Sequence, residues 1–192
     1  MYDRKINKMA LLVSILFVLQ GCAVLVVGAG VGAVSAAHDR RSLGTQVDDK
    51  TAYGRLTMVL AKNTIIEEQT NINVHVYNGA ALLVGQAPSD DLIRQVQQVA
   101  ETVINIKKLH NQIRIGSPIS TSTDTNDLWI ESKIKTKLLA DKRIDGLHID
   151  VAVEDSEVFL MGIVSESEAD VAVDIARNVS GVTQVIKAFE YL

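Results

Sequence analysis

Cysteine is nearly absent: this chain of 192 residues has one, Cys22. No intrachain disulfide and no cysteine-based metal cluster can form, so the folded parts must be held by their cores. Proline is scarce as well, at two residues, and aromatic side chains make up 4% of the chain, with Trp129 the single tryptophan. Basic residues do not outnumber acidic ones. Nineteen Lys and Arg against 23 Asp and Glu give a net charge of −4, which excludes the broad positive field that nucleic acid requires. Any anionic partner must therefore be met by a local basic patch.

Catalytic patterns are missing too. There is no Gly-x-Ser-x-Gly, no His-Glu-x-x-His and no phosphate-cradling loop. None of the four histidines, His38, His75, His110 and His148, is spaced to share a metal with another; His75 and His148 are expected on the polar faces of strands. No cofactor, metal or enzymatic activity is expected.

What is present begins at the N-terminus. Arg4, Lys5 and Lys8 precede an apolar run from Met9 to Leu19, and Leu19-Gln20-Gly21-Cys22 closes it. The run falls short of the ~20 apolar residues that span a bilayer. A basic n-region, a short apolar h-region and a small residue before the cut make a signal peptide. The pattern resembles a bacterial lipobox, which implies cleavage after residue 21 and acyl chains on Cys22. Ala23 follows the cysteine, with no aspartate to retain the protein at the inner membrane. The resemblance thus implies the outer membrane, with the chain facing the periplasm. Cleavage removes three basic side chains and one acid, Asp3, leaving a more acidic mature chain.

Val24 to Ala33 imitates a dinucleotide fingerprint, with Gly28, Gly30 and Ala33 in a G-x-G-x-x-A frame. Such a motif needs a helix N-terminus behind the glycines to hold pyrophosphate, and His38-Asp39-Arg40-Arg41-Ser42 followed by Gly44 is a poor helix. Residues 22 to 46 are read instead as a flexible, lipidated tether.

The remainder divides at residues 116 to 125, a small, polar, proline-containing linker, into domains over 47 to 115 and 126 to 192. Each half repeats the other. Ile72, Val74 and Val76 correspond to Ile149, Val151 and Val153, and Leu83-Val84-Gly85 corresponds to Leu160-Met161-Gly162. The pattern predicts helix, strand, strand, helix, strand in each half. Lys50 to Lys62 is expected as the first helix and Ile72 to Val76 as an alternating strand. Asn78-Gly79 is a two-residue hairpin turn, matched by Asp155-Ser156. Ser89 caps the second helix, and Ser165-Glu166-Ser167-Glu168 forms a capping box on its counterpart. Asn105 and Gly181 are placed to end those helices in a left-handed conformation. The expected class is α+β, two small αββαβ sandwiches, each a three-stranded sheet packed by two helices.

Laid out in this way, the chain resembles two tandem BON domains. The resemblance rests on the two Leu-x-Gly segments, the second continuing through Ile163-Val164, and on Gly181-Val182 before the last strand. The first copy has Ile104-Asn105-Ile106 at that place. A lipobox followed by two such domains looks like the dual-BON outer-membrane lipoproteins tied to envelope stress and division. The resemblance implies no catalysis but binding of anionic phospholipid such as phosphatidylglycerol, support of envelope integrity, and enrichment at the division site.

The residues narrow the lipid site. The helix opening the second domain, from about Asn126 to Ala140, turns Ile130, Ile134 and Leu138 inward. Trp129, Lys133 and Lys137 share a neighbouring stripe, with Leu128 beside the indole. Tryptophan settles at the headgroup level of a bilayer, and a lysine near an anionic surface contributes about 1 kcal/mol. Leu128, Trp129, Lys133 and Lys137 are therefore the expected phospholipid contacts. The alternatives are that Trp129 packs against the other domain, or that the domain surfaces hold an envelope protein partner, making the chain a lipid-anchored adaptor.

Overall fold

The computed structural model describes residues 39–117 and 121–192. The signal peptide, Cys22 and the tether as far as His38 lie outside the described residues.

Helix α1, Leu43–Ala61, opens the first domain, and a short helix α2, Thr64–Gln69, follows it. Strands β1, Asn71–Tyr77, and β2, Ala80–Ala87, form a hairpin; helix α3, Asp90–Glu101, then leads to β3, Lys108–Ile115. The second domain repeats the order. It has α4, Thr121–Ala140, a 3-10 turn at Gly146–His148, β4, Ile149–Glu154, β5, Glu157–Val164, α5, Glu166–Arg177, and β6, Gln184–Tyr191. In each sheet the second strand is central, antiparallel to the first and parallel to the third.

Two of these boundaries correct the sequence reading. Helix α1 begins inside the range expected for the tether, because Ser42 accepts the Thr45 amide at 3.1 Å and caps it. Helix α4 begins inside the expected linker, at Thr121. The α4 extension carries no apolar stripe, and the Leu43 and Val47 pair that opens α1 stays exposed, so neither extension buries a face that periodicity would mark as core. Once later turns are fixed by burial of Leu56 or Ile130, adding a turn costs little beyond one residue's freedom each.

Ser89 and the Ser165–Glu168 capping box stand as expected. So do the hairpin turns, with positive φ at Asn78, Gly79, Asp155 and Ser156. The sequence reading missed what holds those turns. Asp49, on α1, accepts the amides of Asn78 at 2.7 Å and Gly79 at 2.8 Å. Asp127, on α4, does the same for Asp155 at 2.7 Å and Ser156 at 2.9 Å. Each aspartate ties its domain's first helix to its hairpin, satisfying two turn donors with one carboxylate.

The glycine of each Leu-x-Gly segment has a steric cause. Gly85 pairs with Ile72, and Gly162 with Ile149, across the hairpins. A Cβ on Gly85 would lie 1.9 Å from the Asn71 carbonyl oxygen, and one on Gly162 would lie 2.4 Å from that of His148. Both glycines have φ in the range that side chains avoid, +125° and +157°.

The largest departure from the sequence reading concerns the strands' second faces. Helices pack one face of each sheet, around Leu56, Leu83 and Val96 in the first domain and Ile134, Leu160 and Ala172 in the second. The opposite faces are not solvated. They pack on each other, with Tyr77, Leu82 and Val84 against Ala152, Phe159 and Met161. Successive residues Leu82, Leu83 and Val84 are all at most 1% exposed, which requires cover on both faces. The result is a four-layer unit, helices, sheet, sheet, helices, over Arg40–Leu192.

Polar contacts frame this seam. Buried Glu154 accepts Asn73 Nδ2 and Gln86 Nε2, each at 2.9 Å. Burial pushes its carboxyl above the usual glutamate range, against the two amide donors. Asn78 Nδ2 donates to Glu190 at 2.6 Å, and Arg114 pairs with Glu157 at 2.5 Å. Arg40, ahead of α1, reaches the second domain. Its guanidinium donates to the Ile163 carbonyl at 2.8 Å and grips both Glu168 oxygens at 2.8 and 2.9 Å. Arg41 turns back to the first domain, bonding Asp49 at 2.8 Å and lying 3.8 Å over the Tyr77 ring. The histidines change place as well. His148 sits in the 3-10 turn rather than on a strand face, and His75 faces the other domain, where burial pushes its pKa down.

Two outcomes follow from this packing. Gly85→Ala and Gly162→Ala should each destabilise the protein by roughly 2–4 kcal/mol, read as a lower urea midpoint. Gly54→Ala, in mid-helix with nothing within 4 Å, should be neutral or gain up to ~1 kcal/mol. Arg40 holds Glu168 down to about 2, through its side-chain bonds first. A carboxylate lowered from its ordinary value near 4.5 contributes stability above that value and loses it as pH falls toward 2. In Arg40→Ala, a carboxyl-carbon NMR titration should find Glu168 shifted back toward the ordinary range.

Candidate lipid-facing site

Helix α4 is fixed on two sides before any ligand arrives. Its inner stripe, Ile130, Ile134 and Leu138, is fully buried in the second domain's core. Its early turns are pinned by the Asp127 carboxylate on the hairpin amides. Burial raises the Asp127 pKa, and its amide donors oppose that rise. The residues following Asp127 must then face outward. Leu128 is 64% exposed and Trp129 is 56% exposed. The indole is packed against neither domain, so the reading of Trp129 as a core aromatic fails among the described residues.

Lys133, one turn on, lies with Nζ 2.9 Å from the indole centroid, a cation–π contact, and donates to the Ser180 carbonyl at 3.2 Å. Its pKa is lowered, by desolvation first and then by the Lys137 charge. Lys137 extends the stripe by another turn and is exposed. The structure places Trp129, Lys133 and Lys137 along one outward stripe of α4, whereas Leu128, nine residues from Lys137 and so half a turn round the helix, lines the cleft beside His75 and Glu131. Lys135 is set apart, paired with Glu131 at 2.6 Å.

One member was not expected. Leu139 is 59% exposed and lies eleven residues beyond Leu128, close to three full helical turns, so the two leucines share a flank of α4 apart from the one that carries Lys137. The signal was readable, since Leu138-Leu139 cannot both face the core of one helix. The first domain offers no equivalent. At the corresponding places α1 has Thr51, whose hydroxyl donates back to the Val47 carbonyl at 2.8 Å, and a single basic residue, Arg55.

Chemically, the site can shelter acyl carbons or glycerol backbone around an amphipathic ring while two ammonium groups meet phosphate. Among the described residues no cluster of His, Cys, Asp and Glu could hold a metal ion, and no helix is long and apolar enough to cross a membrane.

Comparison with known proteins agrees with the repeat. The BON domain model matches residues 48–117 and again 126–192. The chain is 35% identical over 187 residues to the outer membrane lipoprotein DolP of Haemophilus influenzae, covering 97% of both chains. It is 40% identical over 154 residues to a 21 kDa hemolysin of Actinobacillus pleuropneumoniae, covering 80% of this chain and 79% of that one. Osmotically-inducible protein Y of Escherichia coli is 29% identical over 149 residues, covering 74% and 72%. With both copies matched and the likeness running almost end to end, the chain belongs to the BON-domain family and is a two-domain outer-membrane lipoprotein of it.

Proposed function

We propose that this lipoprotein is held in the outer membrane by acyl chains on Cys22, faces the periplasm, and binds anionic phospholipid through the α4 face of its second BON domain. The observation that carries the reading is an exposed tryptophan flanked by an exposed leucine and stacked beneath a lysine ammonium. Exposing an indole and two leucines on a helix already satisfied by its core is costly in water and favourable at a headgroup layer. An acyl anchor and a basic, aromatic patch are also two weak membrane signals that together hold where one would not. The proposed role is binding, in support of envelope integrity under stress and at the division site, with no catalytic step.

The single tryptophan makes the test direct. The full-length chain is reconstituted into vesicles rich in phosphatidylglycerol and, separately, into phosphatidylcholine vesicles. Trp129 emission should shift to the blue in the anionic vesicles only, and added salt should weaken the shift. Lys133→Gln and Lys137→Gln should each weaken the interaction about fivefold, as ~1 kcal/mol per charge requires. Equal emission in both lipids would overturn the reading and leave the α4 face to a protein partner, as in an adaptor.

A further inference from the structure

Each sheet leaves two strands at its edges, β1 and β3 in the first domain and β4 and β6 in the second. An open edge invites pairing with another chain, and proteins usually blunt it with charge or proline. Three of the four edges are blunted in this way: β3 carries Lys108 and Arg114, β4 carries Asp150 and Glu154, and β6 carries Lys187 and Glu190. Strand β1, Asn-Ile-Asn-Val-His-Val-Tyr, has no proline and no Asp, Glu, Lys or Arg. Its one titratable base, His75, is pushed by burial toward the neutral form.

Two clefts run along that edge, and Asn71, Asn73 and His75 line both. On one side a cleft of about 480 Å³ separates the strand from α1 and α2; Tyr53, Leu60 and Ile66 line it together with Thr57 and a single acid, Glu67. On the other, a cleft of about 300 Å³ separates it from α4, and four acids, Asp124, Asp127, Glu131 and Glu154, line it beside Leu128 and Val153, with no Lys or Arg. Lys135 offsets Glu131 from outside, so the cleft keeps an excess of negative charge. An extended chain laid beside β1 would send successive side chains alternately into the two clefts, because strand side chains alternate with a period of two.

We propose that the open edge of β1 is a strand-addition site for an extended segment of a partner protein in which apolar side chains alternate with lysine or arginine. Main-chain hydrogen bonds to β1 supply affinity, and the two clefts supply the pattern. Apolar side chains enter between β1 and the α1–α2 corner, and cations enter between β1 and α4. The site needs both domains in their packed arrangement, since one wall comes from each. It goes beyond the lipid reading and does not rest on it.

The test uses the full-length chain in neutral detergent micelles, free of anionic lipid, panned against phage-displayed random twelve-residue peptides. Enriched peptides should alternate apolar and basic residues, and a synthetic copy of one should shift the NMR amide signals of Asn71 to His75. Thr57→Arg, which fills the cleft beside α1 and α2, and Asp124→Lys, which reverses charge in the other, are both at exposed helix positions. Each should weaken that peptide at least tenfold, with thermal unfolding confirming that the variants remain folded. Either variant alone suffices if the other misfolds. Enrichment of no pattern or of another pattern, signals shifting elsewhere, or unchanged affinity in the folded variants would overturn the proposal.

Discussion

The face-to-face contact of the two sheets is the constraint on which the rest depends. Tyr77, Leu82 and Val84 on one side and Ala152, Phe159 and Met161 on the other remove from water a face that each small domain would otherwise expose. Apolar burial is worth about 25 cal/mol per Å², and a domain of this size gains only a modest margin from a single core. The seam gives each domain a second core. Because the unit has no disulfide to fall back on, this shared layer takes the place that cross-links hold in many exported proteins.

The seam also sets where charge can reside. Glu154 is accepted into it only with two amide donors, and its raised pKa records the cost of burial. Arg40 and Arg41, adjacent in sequence, face opposite domains, one gripping the capping box of α5 and the other the Asp49 turn clamp. The chain leading from the anchor therefore meets both domains at once before α1 begins. The outer helical layers are left to face solvent or membrane, and on α4 that freedom is spent on Leu128, Trp129, Lys133 and Lys137.

Duplication produced one fold with two surfaces. Asp49 and Asp127 perform the same clamp, and Gly85 and Gly162 avoid the same clash. These positions repeat because the backbone geometry repeats. Side chains that do not touch the clamp, the glycine contact or the cores are free to diverge. That is why α1 carries Thr51 and Arg55 where α4 carries Trp129 and Lys133, and why the two copies present different outer surfaces.

Much of this was legible in the residues. Apolar periodicity, the Asn78-Gly79 and Asp155-Ser156 turns, the Ser165–Glu168 box and the repeated Leu-x-Gly segments determined the element order, because each acts through bonds between near neighbours. The outward stripe of α4 was legible for the same reason, since helical spacing alone puts Trp129, Lys133 and Lys137 together. The packing of sheet on sheet was hinted at only by the unbroken apolar runs Ala80 to Val84 and Val158 to Met161, which show that both faces are covered but not by what. The Asp49 and Asp127 clamps, the Arg40 strap and the cation–π contact of Lys133 join residues far apart or depend on rotamers. Only the tertiary structure decided them, because contacts made across a fold leave no period in the sequence.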